Sequence, residues 1–512
     1  MQRILEPLWV YAVLGLPHGP GEAVPGLLHI HGGLQTASEE TVRHFAQRGY
    51  AVLSFDWFGP TAERSAEVTT VFPAVIPRID DRTVPLERAR ILHGVQMARR
   101  GLSLLAARPE VQGERLGVIG ISWGGIVTWL LNAQDPRVRA AIPVFGCGFS
   151  VEPRAGERAW FAAFQPEHFG SRQLGPVLYL NGTNDFSGCL PMARQLFDDV
   201  QVEKRTFLGP NENHGLWPET LLTASNWLDH YLKDAPALPP APRFSVTDAG
   251  ETAQVTGMAA GAVRVEVYFS YGTDTHAPGG FWHETAATGR EDFAVVIPLW
   301  RGVRRLEVLA LAHYPDGSVL SSFPEAVVVA GAELDSPPER FTRELYTPEY
   351  GISPWFSQWR WRRTEVLPIA GRLEVGIAGR EGRRWLRLLP GKAPVAGEPV
   401  FDLMLRSPGC ALVEKAGVRS LEVELLMPEG GSCEVTASAS GPNDTIEAGD
   451  TWSARAVVAP GELAQTVRFD AGGFTGQGNS SGRSFSFGTL NQLGLRLWSA
   501  GASPGVGKIR LK

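Results

Sequence analysis

The chain has 512 residues, too many for one ordinary core, so two or three domains are expected. A hydrophobic content of 44% suits packed globular domains, while 20% charged residues and a formal net charge of −6 supply no basic run for neutralising phosphates. No apolar stretch approaches the ~18 residues of a membrane span, so neither nucleic acid nor a bilayer is an expected partner.

In chain order, "PLWVYAVLGLP" with Arg3 ahead of it has the outline of a signal core. It runs into "GEAVPGLLHIHGG" without a small-residue cleavage site, and reads instead as the first hairpin of the fold. Short aliphatic runs follow at 27–31, 50–56, 115–122, 138–145, 176–182 and 204–209. Between them lie helical patterns such as "PLERARILHGVQMARRGLSLLAAR" (85–108), and "ETLLTASNWLDHYLKD" (219–234) closes the series. Continuous apolar strands separated by helices imply an α/β fold with a mostly parallel sheet covered on both faces.

The texture then changes. "APALPPAPRF" (235–244) is a stiff Pro/Ala connector. Beyond it, "AVRVEVYFSYG", "DFAVVIPLW" and "RRLEVLALAHYPDGSVLSS" alternate as strands with turns such as "PDG" between them. We expect a catalytic domain over 1–235, a small β-sandwich over 241–332 and an all-β, jelly-roll-like domain over 340–512. The Gly/Ser-rich "GGFTGQGNSSGRS" (472–484) reads as a long loop. Cys147, Cys189, Cys410 and Cys433 show no metal-ligand spacing; buried thiols are expected, with one or two disulfides if the protein is exported. The compartment is not legible, with only a lean towards an extracytoplasmic one.

One stretch carries chemistry. In "GVIGISWGGIVTWLL" a β-branched strand runs into Ser122 and then directly into an apolar helix. That forces a sharp reversal at the serine, and Gly120, Gly124 and Gly125 make room for it. A hydroxyl raised on such a bend is a candidate nucleophile. It needs a base to take its proton and an acid to orient that base. Asp185 lies after the strand of "VLYLNGTNDFSG", and His214 after the next strand, in "KRTFLGPNENHGLWP". Both fall where strand C-terminal ends converge. Glu212 is a weaker rival acid; His168 precedes the acid's strand and His230 sits in the closing helix. An oxyanion needs backbone donors, expected from Trp123 and from either Gly33 or Leu34 in "HIHGGLQTA", with His31 bracing that loop by hydrogen bonds.

On "HIHGG", "SFDWFG", "ARPEVQGERLGVIGISWGG", "NGTNDF" and "NENHG", the first ~235 residues resemble the α/β-hydrolase superfamily, in particular its dienelactone-hydrolase-like and acetyl-xylan-esterase-like members. The resemblance implies a cofactor-independent Ser–Asp–His hydrolase of carboxylic esters, with Ser122, Asp185 and His214 in those roles. A serine where true dienelactone hydrolases carry cysteine favours ordinary esters. Accessory β domains of this kind are similar to those on enzymes acting on polysaccharides, so contact with a polysaccharide or polymeric ester is open. A peptidase or amidase of the same fold, and a glycan-binding protein with a vestigial hydrolase domain, are the alternatives.

Trp57 and Phe58 follow a strand end and are expected in the substrate pocket. The long connections 59–84 and 145–170 are expected to form a lid or pocket walls. In "PWFSQWRWRR", Trp359 and Trp361 share one strand face and Arg360 and Arg362 the other, an arrangement suited to stacking on sugar rings or to packing between domains.

Overall fold

The computed structural model describes residues 8–19, 21–60, 66–79, 81–148, 153–183, 185, 190–210, 214, 218–270, 282–299, 305–329, 344–348, 355–356, 371–390, 399–405, 418–439, 450–487, 490, 492–499 and 504–512. Trp359 to Arg362, Glu212, Cys189 and Cys410 lie outside them.

The first half alternates strand and helix. The elements are β1 (Ala12–Gly15), β2 (Val24–Ile30), α1 (Glu39–Gln47), β3 (Ala51–Phe55), α2 (Arg90–Ala106), β4 (Val111–Ile121), α3 (Trp123–Asn132), β5 (Val138–Val144), α4 (Arg158–Phe164), β6 (Val177–Gly182), α5 (Leu190–Asp199), β7 (Lys204–Gly209) and α6 (Pro218–Lys233). They build a seven-stranded sheet of order β1-β3-β2-β4-β5-β6-β7. From β2 to β7 all neighbours are parallel. Val42 and Phe45 of α1 join Trp227, Leu228 and Leu232 of α6 in the core under one face. Ile91, Val95 and Leu102 of α2 meet Val127 and Leu130 of α3 under the other. This is the doubly covered sheet that the continuous apolar strands imply.

The expected first hairpin does not form. β1 pairs antiparallel with β3, from Ala12 opposite Phe55 to Gly15 opposite Val52, and β2 enters the sheet between β3 and β4. The reason lies in the side chains. β2 is buried along nearly its whole length and needs cover on both faces, whereas β1 alternates exposed and half-buried positions and suits an edge.

Helix starts follow local chemistry. Ser38 caps α1, its hydroxyl accepting the Thr41 N–H at 3.1 Å, and Glu39 and Glu40 sit at the positive end of the helix dipole.

Beyond residue 242 all described pairings are antiparallel. The strands are β8 (Arg243–Asp248), β9 (Thr252–Met258), β10 (Arg264–Ser270), β11 (His283–Ala286), β12 (Thr288–Gly289), β13 (Asp292–Pro298), β14 (Arg305–His313), β15 (Val319–Ser321) and β16 (Glu325–Val328). They form one sheet of order β12-β13-β9-β8 and another of order β11-β10-β14-β15, with β16 also on β14. The second sheet leans on the parallel sheet. The Leu208 N–H of β7 donates to Ser321 Oγ at 3.0 Å, Val319 N–H donates to Thr223 Oγ1 of α6 at 3.0 Å, and Phe323 packs on Phe197 with ring centroids 4.9 Å apart.

Two further six-stranded sheets occupy residues 344–511 around a separate core that includes Leu421, Val423, Leu495 and Ile509. Residues 472–484 are more ordered than the loop expected of them. Residues Thr475–Gln477 form a strand paired with Thr451, Trp452 and Ser453. Asp450 ties the segment down by accepting from Ser480 Oγ at 3.1 Å and from Arg483, and Trp452 Nε1 donates to Arg483 O at 3.1 Å. Cys147 and Cys433 are both buried.

Candidate active site

The sharp turn at Ser122 is real. The residue has φ 58° and ψ −118°, a region few side chains tolerate, between the end of β4 and the first turn of α3. Its N–H donates to Val144 O at 2.8 Å, and its carbonyl accepts the Ile126 N–H at 3.2 Å. The glycines around it are sterically compelled. A Cβ on Gly120 would lie 2.2 Å from Gly124 O, and one on Gly124 would lie 2.1 Å from Ile30 O. One on Gly125 would meet Val144 O at 2.5 Å. In each case the obstacle is backbone, which cannot swing aside.

Two strands further along, the ends of β6 and β7 present a buried acid–imidazole pair. His214 Nδ1 lies 2.7 Å from Asp185 Oδ2, with the carboxylate fully buried and the imidazole 14% exposed. A carboxylate only accepts, so Nδ1 carries the proton and Nε2 keeps its lone pair as a possible base. The imidazole lies on the ring of Phe145, centroids 4.3 Å apart. Phe145 directly follows the Val144 whose carbonyl holds Ser122, and it too has a positive φ, 65°. His168 is exposed on a short 3-10 helix, and His230 donates from Nδ1 to Ala235 O at 2.7 Å within α6. Neither joins the pair.

The 31–34 loop crosses in front of the serine. An ideal Cβ on Gly32 would sit 3.2 Å from Ser122 Cβ, and one on Gly33 would sit 2.8 Å from Trp123 Cδ1 and 3.7 Å from Phe58. Glycine is needed at both for this close approach. Leu34 is half exposed, with φ 59°. Phe58 therefore borders the loop. Trp57 does not line a pocket: it is fully buried, packed against Gly94 of α2, with its indole N–H on His31 O at 3.0 Å. Phe58 is only partly buried and meets the Trp57 ring edge to face, centroids 5.9 Å apart, so the pair is split between core and loop in a way that an aromatic pair in a sequence does not reveal.

Asp56 is the residue whose importance the sequence did not signal. Wholly buried at the end of β3, its carboxylate faces His31 Nε2 at 3.1 Å and accepts the N–H groups of Gly59 at 3.1 Å and Thr70 at 2.7 Å. Burial pushes such a carboxyl upwards; the hydrogen bonds from His31, Thr70 and Gly59 outweigh it and hold Asp56 below the ordinary carboxylate range. Buried Arg90 completes the anchorage of the 59–84 connection, donating to Phe58 O at 2.7 Å and Ile76 O at 3.0 Å and covering the Phe72 ring at 3.5 Å. Desolvation lowers the Arg90 guanidinium to about 10. The described part of this connection is a pinned wall rather than a hinged lid. In the 145–170 connection Trp160, Phe161 and Phe164 of α4 point into the core.

His29, two residues before His31 in sequence, is buried with Nδ1 2.8 Å from Ser54 Oγ. Burial first, and then the charge of His31, lower it from the ordinary 6.5 to about 3.

Among the described residues no cluster of His, Cys, Asp and Glu could hold a metal ion. The arrangement places a serine on a strained turn near an imidazole paired with a buried carboxylate, with a glycine loop packed against the serine.

Residues 10–215 match the model of the dienelactone hydrolase family. Dipeptidyl-peptidase 5 of Porphyromonas gingivalis is 31% identical over 156 residues, which is 24% of this chain and 23% of that protein. A protein named as a carboxymethylenebutenolidase in Yersinia pestis is 22% identical over 157 residues, 30% of this chain and 52% of its own length. The chain thus spans about half or less of the curated relatives it matches. Among solved structures, the acetyl xylan esterase from Paenibacillus sp. R4 superposes with a TM-score of 0.37 at 19% identity, over 44% of this chain and 80% of that one.

Proposed function

As residues 10–215 match the dienelactone hydrolase family model, we propose that this chain is a hydrolase that cleaves carboxylic esters through an acyl-enzyme on Ser122. The observation that carries the reading is the His214–Asp185 pair at 2.7 Å, set against Phe145 and so beside the turn that raises Ser122. In the proposed cycle, His214 Nε2 takes the Ser122 proton as Oγ attacks the ester carbonyl, while Asp185 steadies the imidazolium. The N–H of Trp123 and one N–H of the 33–34 loop receive the oxyanion. Collapse expels the alcohol, protonated by His214, and water repeats the sequence to release the acid. A free hydroxyl is a weak nucleophile at neutral pH, so the pair is what makes the turn useful.

Residues 1–235 are read as the catalytic domain, with β domains over 241–332 and 340–512 appended. The β domains and the acetyl xylan esterase named above make a short acyl group on a polysaccharide one candidate substrate. Small aliphatic and polymeric esters are others. The test is Ser122→Ala assayed with p-nitrophenyl acetate and butyrate: hydrolysis falls to the solution rate with the fold intact. An unchanged rate refutes the assignment.

The peptidase among the relatives motivates a second reading, amide cleavage by the same residues. Matched ester and amide substrates separate the two, since an amide specialist turns over the amide at a comparable kcat/KM.

A further inference from the structure

The sequence leaves open which N–H of the Gly33–Leu34 loop meets the oxyanion. We propose that His31, held by Asp56, is a positioning residue that selects Gly33 and aims its N–H into the site. The proposal rests on the esterase reading above and deepens it.

The argument runs through one peptide plane. His31 Nδ1 lies 2.7 Å from the carbonyl oxygen of Gly32. A carbonyl can only accept, so Nδ1 is the donor. Among the described residues no peptide bond is cis, so the Gly32 carbonyl and the Gly33 N–H point in opposite directions. The His31 ring is fully buried. Drawing the Gly32 carbonyl inward onto that ring turns the Gly33 N–H outward, on the side where Gly33 abuts Trp123, the other proposed donor.

The neighbouring groups of the loop are already occupied. The His31 carbonyl accepts the Trp57 indole N–H at 3.0 Å, and the Gly32 N–H donates to Gln35 Oε1 at 2.9 Å. Gly32 therefore has neither donor nor acceptor to offer a substrate. The Gly33 N–H has no acceptor among the described residues. The far side of the His31 ring is held as well: Nε2 donates to Asp56 Oδ1 at 3.1 Å. Asp56 in turn holds Gly59 and Thr70, so the ring is braced against the pinned wall. A donor aimed before the charge develops needs no reorganisation during the reaction, and loss of one such donor costs ~10²–10³ in kcat.

Two substitutions separate this role from simple packing. His31→Asn places an amide N–H near the position of Nδ1 and keeps the donor to Gly32 O. His31→Gln places it near Nε2, keeps a contact to Asp56 and loses the donor. With p-nitrophenyl butyrate, His31→Gln should lower kcat about 100-fold, within the range for losing an oxyanion donor, with KM unchanged. His31→Asn should stay within about threefold of the parent. A boronic acid, which adds reversibly to a serine as a tetrahedral mimic, should weaken in proportion to kcat in the Gln variant. Equal loss in both variants, full activity in the Gln variant, or an unaltered boronate affinity beside a reduced kcat overturns the proposal.

Should His31→Gln fail to fold, exposed Gln35→Met decides. It frees the Gly32 N–H and so loosens the peptide that adjoins the Gly32–Gly33 plane, so kcat should fall at least fivefold with KM unchanged and boronate affinity down in step; an unchanged kcat overturns the proposal. Ser122→Ala is run alongside: residual hydrolysis there defeats the esterase reading itself, whereas an inert Ser122→Ala with a fully active His31→Gln defeats only the role of His31.

Discussion

Acid should loosen this protein first at β2, the strand that leads into the 31–34 loop. His29 is neutral in the fold: Ser54 Oγ already accepts the Ser38 N–H at 2.9 Å, so its hydroxyl proton is available to His29 Nδ1 at 2.8 Å. Burial, reinforced by His31, lowers its folded value from 6.5 to about 3. A depressed folded value means that the unfolded chain binds the proton more readily. The stabilisation is therefore complete above the unfolded value and is lost as the pH falls from 6.5 towards 3. At 1.36 kcal/mol per unit, moving from pH 7 to pH 5 removes about 2 kcal/mol. His29→Leu does not titrate at this position. Native-state hydrogen exchange of the β2 amides reports the opening free energy of that strand without assuming a single global transition. The opening free energy of the parent minus that of the variant should shrink by about 2 kcal/mol between pH 7 and pH 5. A difference that is the same at both pH values refutes the reasoning, because the charge then enters the fold at no cost.

Asp185→Asn keeps the shape but cannot fix the His214 tautomer, so kcat on p-nitrophenyl butyrate should fall ~10³–10⁴-fold with KM little changed. A loss below tenfold would assign the acid's role to another carboxylate. Gly124→Ala sets a methyl 2.1 Å from Ile30 O, and should destabilise the protein by ~3 kcal/mol, whereas Gly21→Ala, whose Cβ meets nothing within 4 Å, should be neutral; chemical denaturation compares them.

What the sequence discloses here depends on the range over which the information acts. The strand 204–209 and the turn at Ser122 are local: a run of aliphatic residues defines the one, and a strand–Ser–helix junction with flanking glycines defines the other. The pairing of β1 with β3 is not local, since any neighbour offering backbone groups satisfies an edge strand, and the chain between β1 and β2 contains no signal against a hairpin. Asp56 escaped for a related reason. One aspartate after a strand resembles any turn residue, and its role arises from contacts to positions 31, 59 and 70. An aromatic between Val144 and Gly146 at a strand end gives no hint of the positive φ of Phe145, although Gly146 marks a place where the backbone packs too closely on Ser122 O for a side chain. Trp57 lies in the core rather than in a pocket because it packs on Gly94 of α2, a long-range contact that the sequence does not display.

The same local-against-distant distinction bears on why antiparallel sheets follow the hydrolase sheet. β7 is the last strand of its sheet, and a bare edge offers unpaired backbone groups to any passing strand. Here the Leu208 N–H is taken by Ser321 Oγ, and the Phe323 ring lies parallel to that of Tyr179 of β6 while packing on Phe197 of α5. At the rim of the contact, Arg194 reaches Glu325 at 3.1 Å. One continuous core joins residues of β6, β7 and α6 to β14 and β15. Covering an edge in this way restrains the strands whose ends carry Asp185 and His214. The two residues leave adjacent strands, β6 and β7, and a shift of β7 by even one residue would move His214 by about 3.3 Å, more than the whole 2.7 Å separation that lets it share a proton with Asp185. The β layer thus keeps two loop residues in register, and the chemistry proposed for them depends on it.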